Sequence, residues 1–151
     1  MILLSLPYPL SANRYWKAIT IPGRTMMAPT REAKAYCADV ARICAAAGIR
    51  EPITGRIALA IRLFPARPQD WARRARKLGA AWDDDVRCID LDNANKVLLD
   101  ALKGIAFEDD RWVRRLQAER MEPDEHGARV IVAIEQLALP VVQVSFLEEA
   151  A

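Results

Sequence analysis

Residues 90–104, DLDNANKVLLDALKG, decide the fold of this chain. Their apolar positions recur every three or four residues, the spacing of a helix face packed on a core: Ala94, Val97, Leu98, Ala101 and Leu102. We expect this helix to run from about Asn93 to Lys103, since glycine is typical just beyond a helix end and Gly104 stands there. Either Asp92 or Asn93 would serve as its N-cap.

Carboxylates and a lysine surround the same helix. Asp90 and Asp92 stand at its start, Lys96 follows Asp92 by one turn, and Asp109-Asp110 come after its end. Mg²⁺ prefers oxygen ligands, commonly one or two carboxylates completed by water and substrate phosphate. A lysine nearby supplies a positive charge for a phosphate. The spacing therefore suggests metal-assisted phosphate chemistry.

The same residues have plainer structural interpretations. Asp90 and Asp92 are favoured near a helix start by capping and by the helix dipole. Asp92, Lys96 and Asp100 have the i, i+4, i+8 spacing of an exposed ion-pair ladder. An Asp-Asp pair before a strand is also a common turn. Spacing alone leaves both interpretations open.

Composition describes a globular protein of one domain. The chain has 151 residues, 52% hydrophobic and 28% charged, which is enough to build a core. No apolar run is long enough to cross a bilayer, and the apolar N-terminus stops at Pro7, too early for a signal peptide. The three cysteines lack a disulfide or zinc spacing, and there is a single histidine. We therefore expect a cytoplasmic protein with reduced thiols and no membrane partner.

The net charge of +2 is small, but the charges are unevenly distributed. Basic residues cluster before the acidic run at 83–85 and again after the Asp109-Asp110 pair: Arg67, Arg73, Arg74, Arg76 and Lys77, then Arg111, Arg114, Arg115 and Arg120. Cations beside carboxylates suit a polyanion that is held while a metal acts on it. Residues 13–17, NRYWK, mix side chains that can bind phosphates and bases. A solvated surface, and a loop that packs its aromatic side chains on the body, explain the same patterns.

Strand and helix signals alternate along the first half of the chain. Residues 1–6 predict a strand, and residues 7–28 a long loop rich in proline and glycine. Thr30 is placed to cap a helix that Gly48 would end. Residues 55–64 alternate as a strand with one buried face.

The second half adds an irregular segment and two strands. In residues 65–88, Asp70 is placed to cap a short basic helix that ends before Gly79. Residues 111–121 and 128–137 predict two strands paired as an antiparallel hairpin, the second apolar on both faces and so central. The order is strand-helix-strand-helix-strand-strand. We therefore predict an α+β fold, a mixed β-sheet with two main helices packed on it.

Two stretches of the sequence are similar to a known family. The first is Leu6-Pro7-Tyr8-Pro9, with Ser11 and Asn13-Arg14-Tyr15. The second is Asp90-Leu91-Asp92-Asn93, with Lys96, Asp100-Ala101-Leu102, Phe107 and Asp109-Asp110. In these motifs the chain resembles the RusA family of Holliday-junction resolvases, small endonucleases common in prophages. The resemblance covers residues 1–137, and its aspartate–leucine–aspartate–asparagine signature is specific.

The resemblance implies a Mg²⁺-dependent endodeoxyribonuclease that resolves four-way DNA junctions by paired nicks, in DNA recombination and repair. By position, Asp90, Asp92 and Asp110 correspond to three metal-binding aspartates and Lys96 to an essential lysine, and these four form the expected catalytic set. Mn²⁺ is an expected substitute for Mg²⁺. We further expect Asp109 to orient a ligand or a water. Family members act as homodimers, so branched DNA and a second copy are the implied partners.

For DNA contacts we predict six residues from the NRYWK motif and the first basic cluster: Asn13, Arg14, Lys17, Arg73, Arg74 and Arg76. Compared with compact family members, the single domain 1–151 has an insertion at about 65–89 and a C-terminal extension at about 138–151. The extension, around Val141, Val144 and Phe146, and the tryptophans of the insertion are candidates for a dimer interface. Two alternative functions stay open: a looser flap or fork nuclease, and a junction-binding protein without turnover.

Overall fold

The fold was obtained as a computed structural model, which describes residues 1–142. Within that range the elements follow the chain in the order β1 (Ile2–Pro7), α1 (Ala12–Tyr15), β2 (Trp16–Ile21), β3 (Arg24–Pro29), α2 (Arg31–Ala46), β4 (Ile57–Phe64), α3 (Trp71–Leu78), α4 (Leu91–Leu102), β5 (Val113–Arg120) and β6 (Arg129–Gln136). Short 3₁₀ turns lie at Gly79–Ala81 and Asp110–Trp112.

A four-stranded mixed sheet forms the centre of the protein, in the strand order β1, β6, β4, β5. β4 runs parallel to β5 and antiparallel to β6, and β1 pairs antiparallel with β6. Alternate side chains of β1, β4 and β6 are buried on one face, as the period of a strand requires: Leu4, Leu6, Ile57, Leu59, Ile61, Leu63, Val130, Val132 and Ile134. The predicted α+β fold and the central position of β6 are confirmed.

The predicted hairpin between the last two strands is wrong. β4 lies between β5 and β6, so that Leu59 stands opposite Leu116 on one side and Ile134 on the other. The connection at residues 121–128 crosses the end of β4, and eight residues easily span two strand spacings of about 5 Å each. With β5 on one side and β6 on the other, β4 is an interior strand that is hydrogen-bonded along both edges.

The predicted long loop at 7–28 is also wrong, because most of it is a helical turn and a separate β2–β3 hairpin. The hairpin reverses at Pro22-Gly23, where Gly23 has φ +87°, a conformation that glycine adopts without strain. Trp16 pairs with Pro29 and Ile21 with Arg24 across the two strands. Most hairpin side chains are exposed, so the sequence shows no alternation of buried and exposed residues here.

Two helices pack on the buried face of the sheet. α2 contacts β1 and α4, and α4 contacts β5. The predicted start of α2 is confirmed, because Oγ1 of Thr30 accepts a hydrogen bond from the Ala33 N–H at 3.2 Å. α4 begins at Leu91, earlier than predicted, and Asp90 rather than Asp92 or Asn93 occupies the N-cap position. The backbone of Asp90 is extended, and its carbonyl accepts the Ala94 N–H at 2.9 Å, so the first helical turn already starts there.

The 65–89 segment contains the predicted short basic helix. α3 follows Asp70 and ends at Gly79, where φ is +63°. The Asp70 carboxylate does not cap the backbone; it binds the side chains of Arg73 and Arg74 instead. Trp82 is buried in this segment, whereas Trp71 stays partly exposed.

The chain beyond β6 is described only as far as residue 142. Val141 and Val142 are exposed there, and Val144 and Phe146, named above as interface candidates, lie outside the described residues. Across residues 1–142, no helix has the length and apolar character needed to cross a membrane.

Candidate active site

A cavity of about 880 Å³ lies at the end of the sheet where β1 and β4 finish and α4 begins. Its wall comes from four parts of the chain: the residues that follow β1, the 65–89 segment, the start of α4, and Ala128 just before β6. The polar and charged side chains of the wall include Tyr8, Arg14, Arg74, Arg87, Asp90 and Asn93. The fold thus brings two predicted DNA-binding arginines to the cavity that the predicted catalytic Asp90 also lines.

Tyr8 fixes the backbone immediately before Asp90. Its hydroxyl oxygen accepts the Ile89 N–H at 2.7 Å and lies 3.6 Å from Sγ of Cys88. Burial raises the pKa of Tyr8 to about 12, so the hydroxyl keeps its proton near neutral pH and can donate to that sulfur. The sequence motif around Tyr8 indicated the family but not this positioning contact, which joins residues 81 positions apart.

Contacts with the body also hold the 83–89 wall in place. Nη2 of Arg120 donates to the carbonyls of Asp83, at 2.8 Å, and Val86, at 2.9 Å. Nε1 of the buried Trp82 donates to Oε1 of Glu122 at 2.7 Å. Arg120 had been placed only within a basic run, and no signal in the sequence pointed to this role. The wall is therefore attached to the end of β5.

Asp90 and Asp92 stand at the start of α4 with their carboxylates exposed. Within residues 1–142 neither forms an ion pair. The positive end of the helix dipole favours negative charge at these positions. Two neighbouring carboxylates without a protein cation fit the one or two carboxylates by which Mg²⁺ is usually held.

Asp110 belongs to a different group, beyond the other end of α4. Nζ of Lys103 lies 3.6 Å from Oδ2 of Asp109 and 3.8 Å from Oδ1 of Asp110. Oδ1 of Asp109 accepts the Arg111 N–H at 3.0 Å. That backbone hydrogen bond, followed by a side-chain hydrogen bond with Asp110, lowers the pKa of Asp109.

Asp100, near the end of α4, is the helix residue whose pKa is raised, first by burial and then by the charge of Asp110. Asp100 follows Asp92 by eight residues, about 12 Å along a helix axis. In the described part of the chain, no three His, Cys, Asp or Glu side chains are grouped closely enough to hold a metal ion. Asp90, Asp92 and Asp110 are therefore not a preformed triad within one chain.

Lys96 lies between the two acidic groups, exposed on α4 and one turn from Asp92. Its charge is among the causes that lower the pKa of Asp100, although burial and Asp110 outweigh it there. The helix therefore presents a lysine flanked on both sides by carboxylates. The sequence predicted this order, with Asp92, Lys96 and Asp100 spaced i, i+4, i+8.

Of the six residues predicted to contact DNA, three line a cavity and three do not. Arg73 and Arg74 both bind Asp70 at 2.9 Å, and together with Lys77 they line a smaller cavity of about 540 Å³ beside the first. Arg14 lies 2.6 Å from Glu32, and its pairing is exposed to solvent. Asn13, Lys17 and Arg76 line neither cavity. Arg87, which the sequence did not single out, lines the larger one.

These features define a small α+β domain in which the Asp90 carboxylate, at a helix start, and arginines from distant segments share one cleft. The chain belongs to the RusA endodeoxyribonuclease family, because the family model described as Endodeoxyribonuclease RusA matches residues 7–135. It is therefore an endonuclease of a family that resolves branched DNA junctions. A search of curated proteins returns no match.

Proposed function

We propose that this chain is a Mg²⁺-dependent endodeoxyribonuclease that resolves four-way DNA junctions by paired nicks, in DNA recombination and repair. One observation carries the proposal: Asp90 lines the same cavity as Arg14 and Arg74 in a chain of the RusA family. Carboxylates suit the metal and arginines suit the phosphates of the DNA backbone. Because the phosphate contacts are ionic, junction affinity should fall steeply with salt.

Asp90 and Asp92 are the proposed pair that holds Mg²⁺, or Mn²⁺ in its place, with Asp110 as the third ligand. When bound, the metal would polarise a phosphoryl oxygen and favour formation of the attacking hydroxide. Lys96 would stabilise negative charge that develops on the phosphate. Asp109, which shares the Lys103 ammonium with Asp110, would hold that third ligand in position.

Asp92 lies at the start of α4 and Asp110 beyond its end, and this separation suggests how two copies of the chain would assemble. A four-way junction presents two equivalent strands, so a two-fold homodimer with two clefts fits paired nicking. We propose that, in this dimer, Asp110 of one copy completes the Asp90–Asp92 pair of the other. Such a site would be incomplete in a single chain, in agreement with the lack of a three-carboxylate cluster within residues 1–142.

A panel of labelled DNAs separates this function from its alternatives. Four-way junction, fork, flap and linear duplex would each be incubated with the protein and Mg²⁺, and the nicks mapped on every strand. We expect paired nicks in the junction and little cutting of the duplex. Equal cutting of forks, flaps and junction would favour the looser nuclease and contradict a resolvase. Tight junction binding without any product, with Mg²⁺ or Mn²⁺, would favour a binding protein without turnover.

A further inference from the structure

The larger cavity has a size and a lining that its charged groups alone do not explain. Its volume of about 880 Å³ lies within the range of pockets that enclose a small organic ligand. Between the charged groups the wall is largely apolar and contains one aromatic ring; these residues are Tyr8, Pro9, Leu10, Pro68, Val86 and Ile89. A groove that only followed a phosphate backbone would not need such a surface.

The cavity is preformed and open. The contacts of Tyr8 with Ile89 and of Arg120 with Val86 fix its wall on opposite sides of the 86–89 stretch. Ala66 and Ala128, both exposed, line it with methyl groups that occupy little space. The volume for a small ligand is therefore already present in the fold.

Three arginines line the cavity beside its apolar wall. Arg14 and Arg74 reach it from different elements, and Arg87 lines it without an ion pair in residues 1–142. Arg74 also lines the smaller cavity, and the Asp85 carboxylate lines both. Asn93 adds an amide that can both donate to and accept from the edge of a base.

We propose that this cavity receives one unstacked nucleotide of the DNA strand to be cut, an inference that rests on the proposed function. The base would pack against the apolar wall, because every base has a face that stacks on apolar and aromatic groups. Its flanking phosphates would lie near Arg14 and Arg74, next to Asp90. A base leaves the helix most easily where pairing is already disturbed, as at a branch point. The cavity would therefore select branched DNA over linear duplex.

Fluorescence of 2-aminopurine, placed at successive positions around the branch point, tests this without any cleavage. Binding is measured in EDTA, so the result does not depend on catalysis or on the metal ligands. We expect the emission to change at one position in each of two opposed strands when the protein binds. No change at any position would contradict the proposal, while the nicking panel would still decide the proposed function.

Tryptophan substitutions that fill the cavity can be compared with a tryptophan substitution elsewhere on the surface. Ala66→Trp and Ala128→Trp add bulk to the cavity and remove no hydrogen bond, whereas Ala38→Trp adds the same bulk on an exposed part of α2. We expect the first two to abolish the emission change and to lower junction-over-duplex selectivity about tenfold, the loss of one stacked base. Ala38→Trp should behave as wild type. Unaltered selectivity in both cavity variants would overturn the proposal.

A change in the DNA alone covers the case in which the tryptophan variants fail to fold. An abasic site at the responding position removes the base and keeps the backbone. Wild-type affinity for that junction should fall about tenfold. Affinity equal to that for the intact junction, or equally tight binding of a free deoxynucleoside monophosphate, would contradict a site built for a nucleotide within a strand.

Discussion

The Tyr8 hydroxyl links the end of β1 to the residue just before Asp90. Because the hydroxyl accepts the Ile89 N–H at 2.7 Å, the start of α4 is held against the cavity wall. Removing the hydroxyl leaves the partly buried Ile89 N–H without its acceptor, at a cost of about 1 kcal/mol. A small loss of stability is thus combined with a shift in the position of Asp90.

Tyr8→Phe should lower the rate of junction cleavage at saturating DNA much more than it weakens junction binding. The ring that lines the cavity is kept, and only the contact that positions Asp90 is lost. Cleavage under single-turnover conditions and binding in EDTA give the two readouts. Tyr15→Phe is the matched control, because its hydroxyl lies 3.0 Å from Sγ of Cys37. Equal rate losses in both variants would show a general effect on stability.

Asp124 and Arg129 give a pH dependence that can be measured. Oδ1 and Oδ2 of Asp124 accept hydrogen bonds from Nη1 and Nη2 of Arg129, at 2.7 and 2.8 Å. These bonds, rather than burial, hold the pKa of Asp124 well below its usual value. A carboxyl with a lowered folded-state pKa stabilises the fold above its unfolded-state pKa of about 3.9, and this contribution is lost as the pH falls through the folded-state value.

Asp124→Asn should therefore lower the melting temperature at neutral pH, with the difference from wild type shrinking below about pH 4. Melting curves of both proteins between neutral and acid pH provide the measurement. Asp39→Asn is a suitable control, since its partner Arg42 is 3.4 Å away and both side chains are more exposed. A difference that grows as the pH falls has the wrong sign and would refute the role assigned to this pair.

Helices and strands with one buried face could be predicted from the sequence, but the pairing of the strands in the sheet could not. In α2, β4 and α4 the apolar residues recur with the period of the element, because one side of it is buried. The structure has all three close to their expected bounds. β5 and β6 were also predicted as strands, but alternation does not encode which strand lies next to which. The β2–β3 hairpin was missed because few of its side chains contact the core.

The sequence could predict individual residues of the cleft, but not which of them lie together. Asp90 and Asp92 could be selected from a local motif, and Arg14 and Arg74 from local charge. Asp90, Arg14 and Arg74 meet at one cavity through contacts between residues far apart in the chain, which one sequence does not reveal. Three of the six residues predicted to contact DNA line neither cavity, and the DNA-binding role of all six stays a prediction.

For the whole molecule, the proposed exchange of Asp110 between two copies can be tested by complementation. Asp92→Asn and Asp110→Asn chains would be co-expressed with different tags, and the mixed dimers purified. Homodimers of either variant should cleave at least about a hundredfold more slowly than wild type, while the mixed dimer keeps one site with Asp92 from one copy and Asp110 from the other. We expect nicking of the junction to be restored in that dimer.

A second mixed dimer serves as control. Asp90→Asn combined with Asp92→Asn damages both clefts, since the two aspartates act from the same chain, and should stay inactive. Inactivity of the Asp92/Asp110 mixed dimer as well would place Asp110 in the site of its own chain. It would then have to reach the pair by movement of the residues after α4. A protein that stays monomeric on the junction, yet makes paired nicks, would contradict the dimer itself.

The most direct measurement is cleavage of a synthetic four-way junction by wild type, Asp92→Asn and Asp39→Asn, with Mg²⁺ and in EDTA. Wild type and Asp39→Asn should make paired nicks in opposed strands only with Mg²⁺. Asp92→Asn should fold and bind the junction in EDTA like wild type but cut at least about a hundredfold more slowly, because a metal ligand is lost. Full activity of Asp92→Asn, or nicking that persists in EDTA, would contradict a Mg²⁺ site at the start of α4.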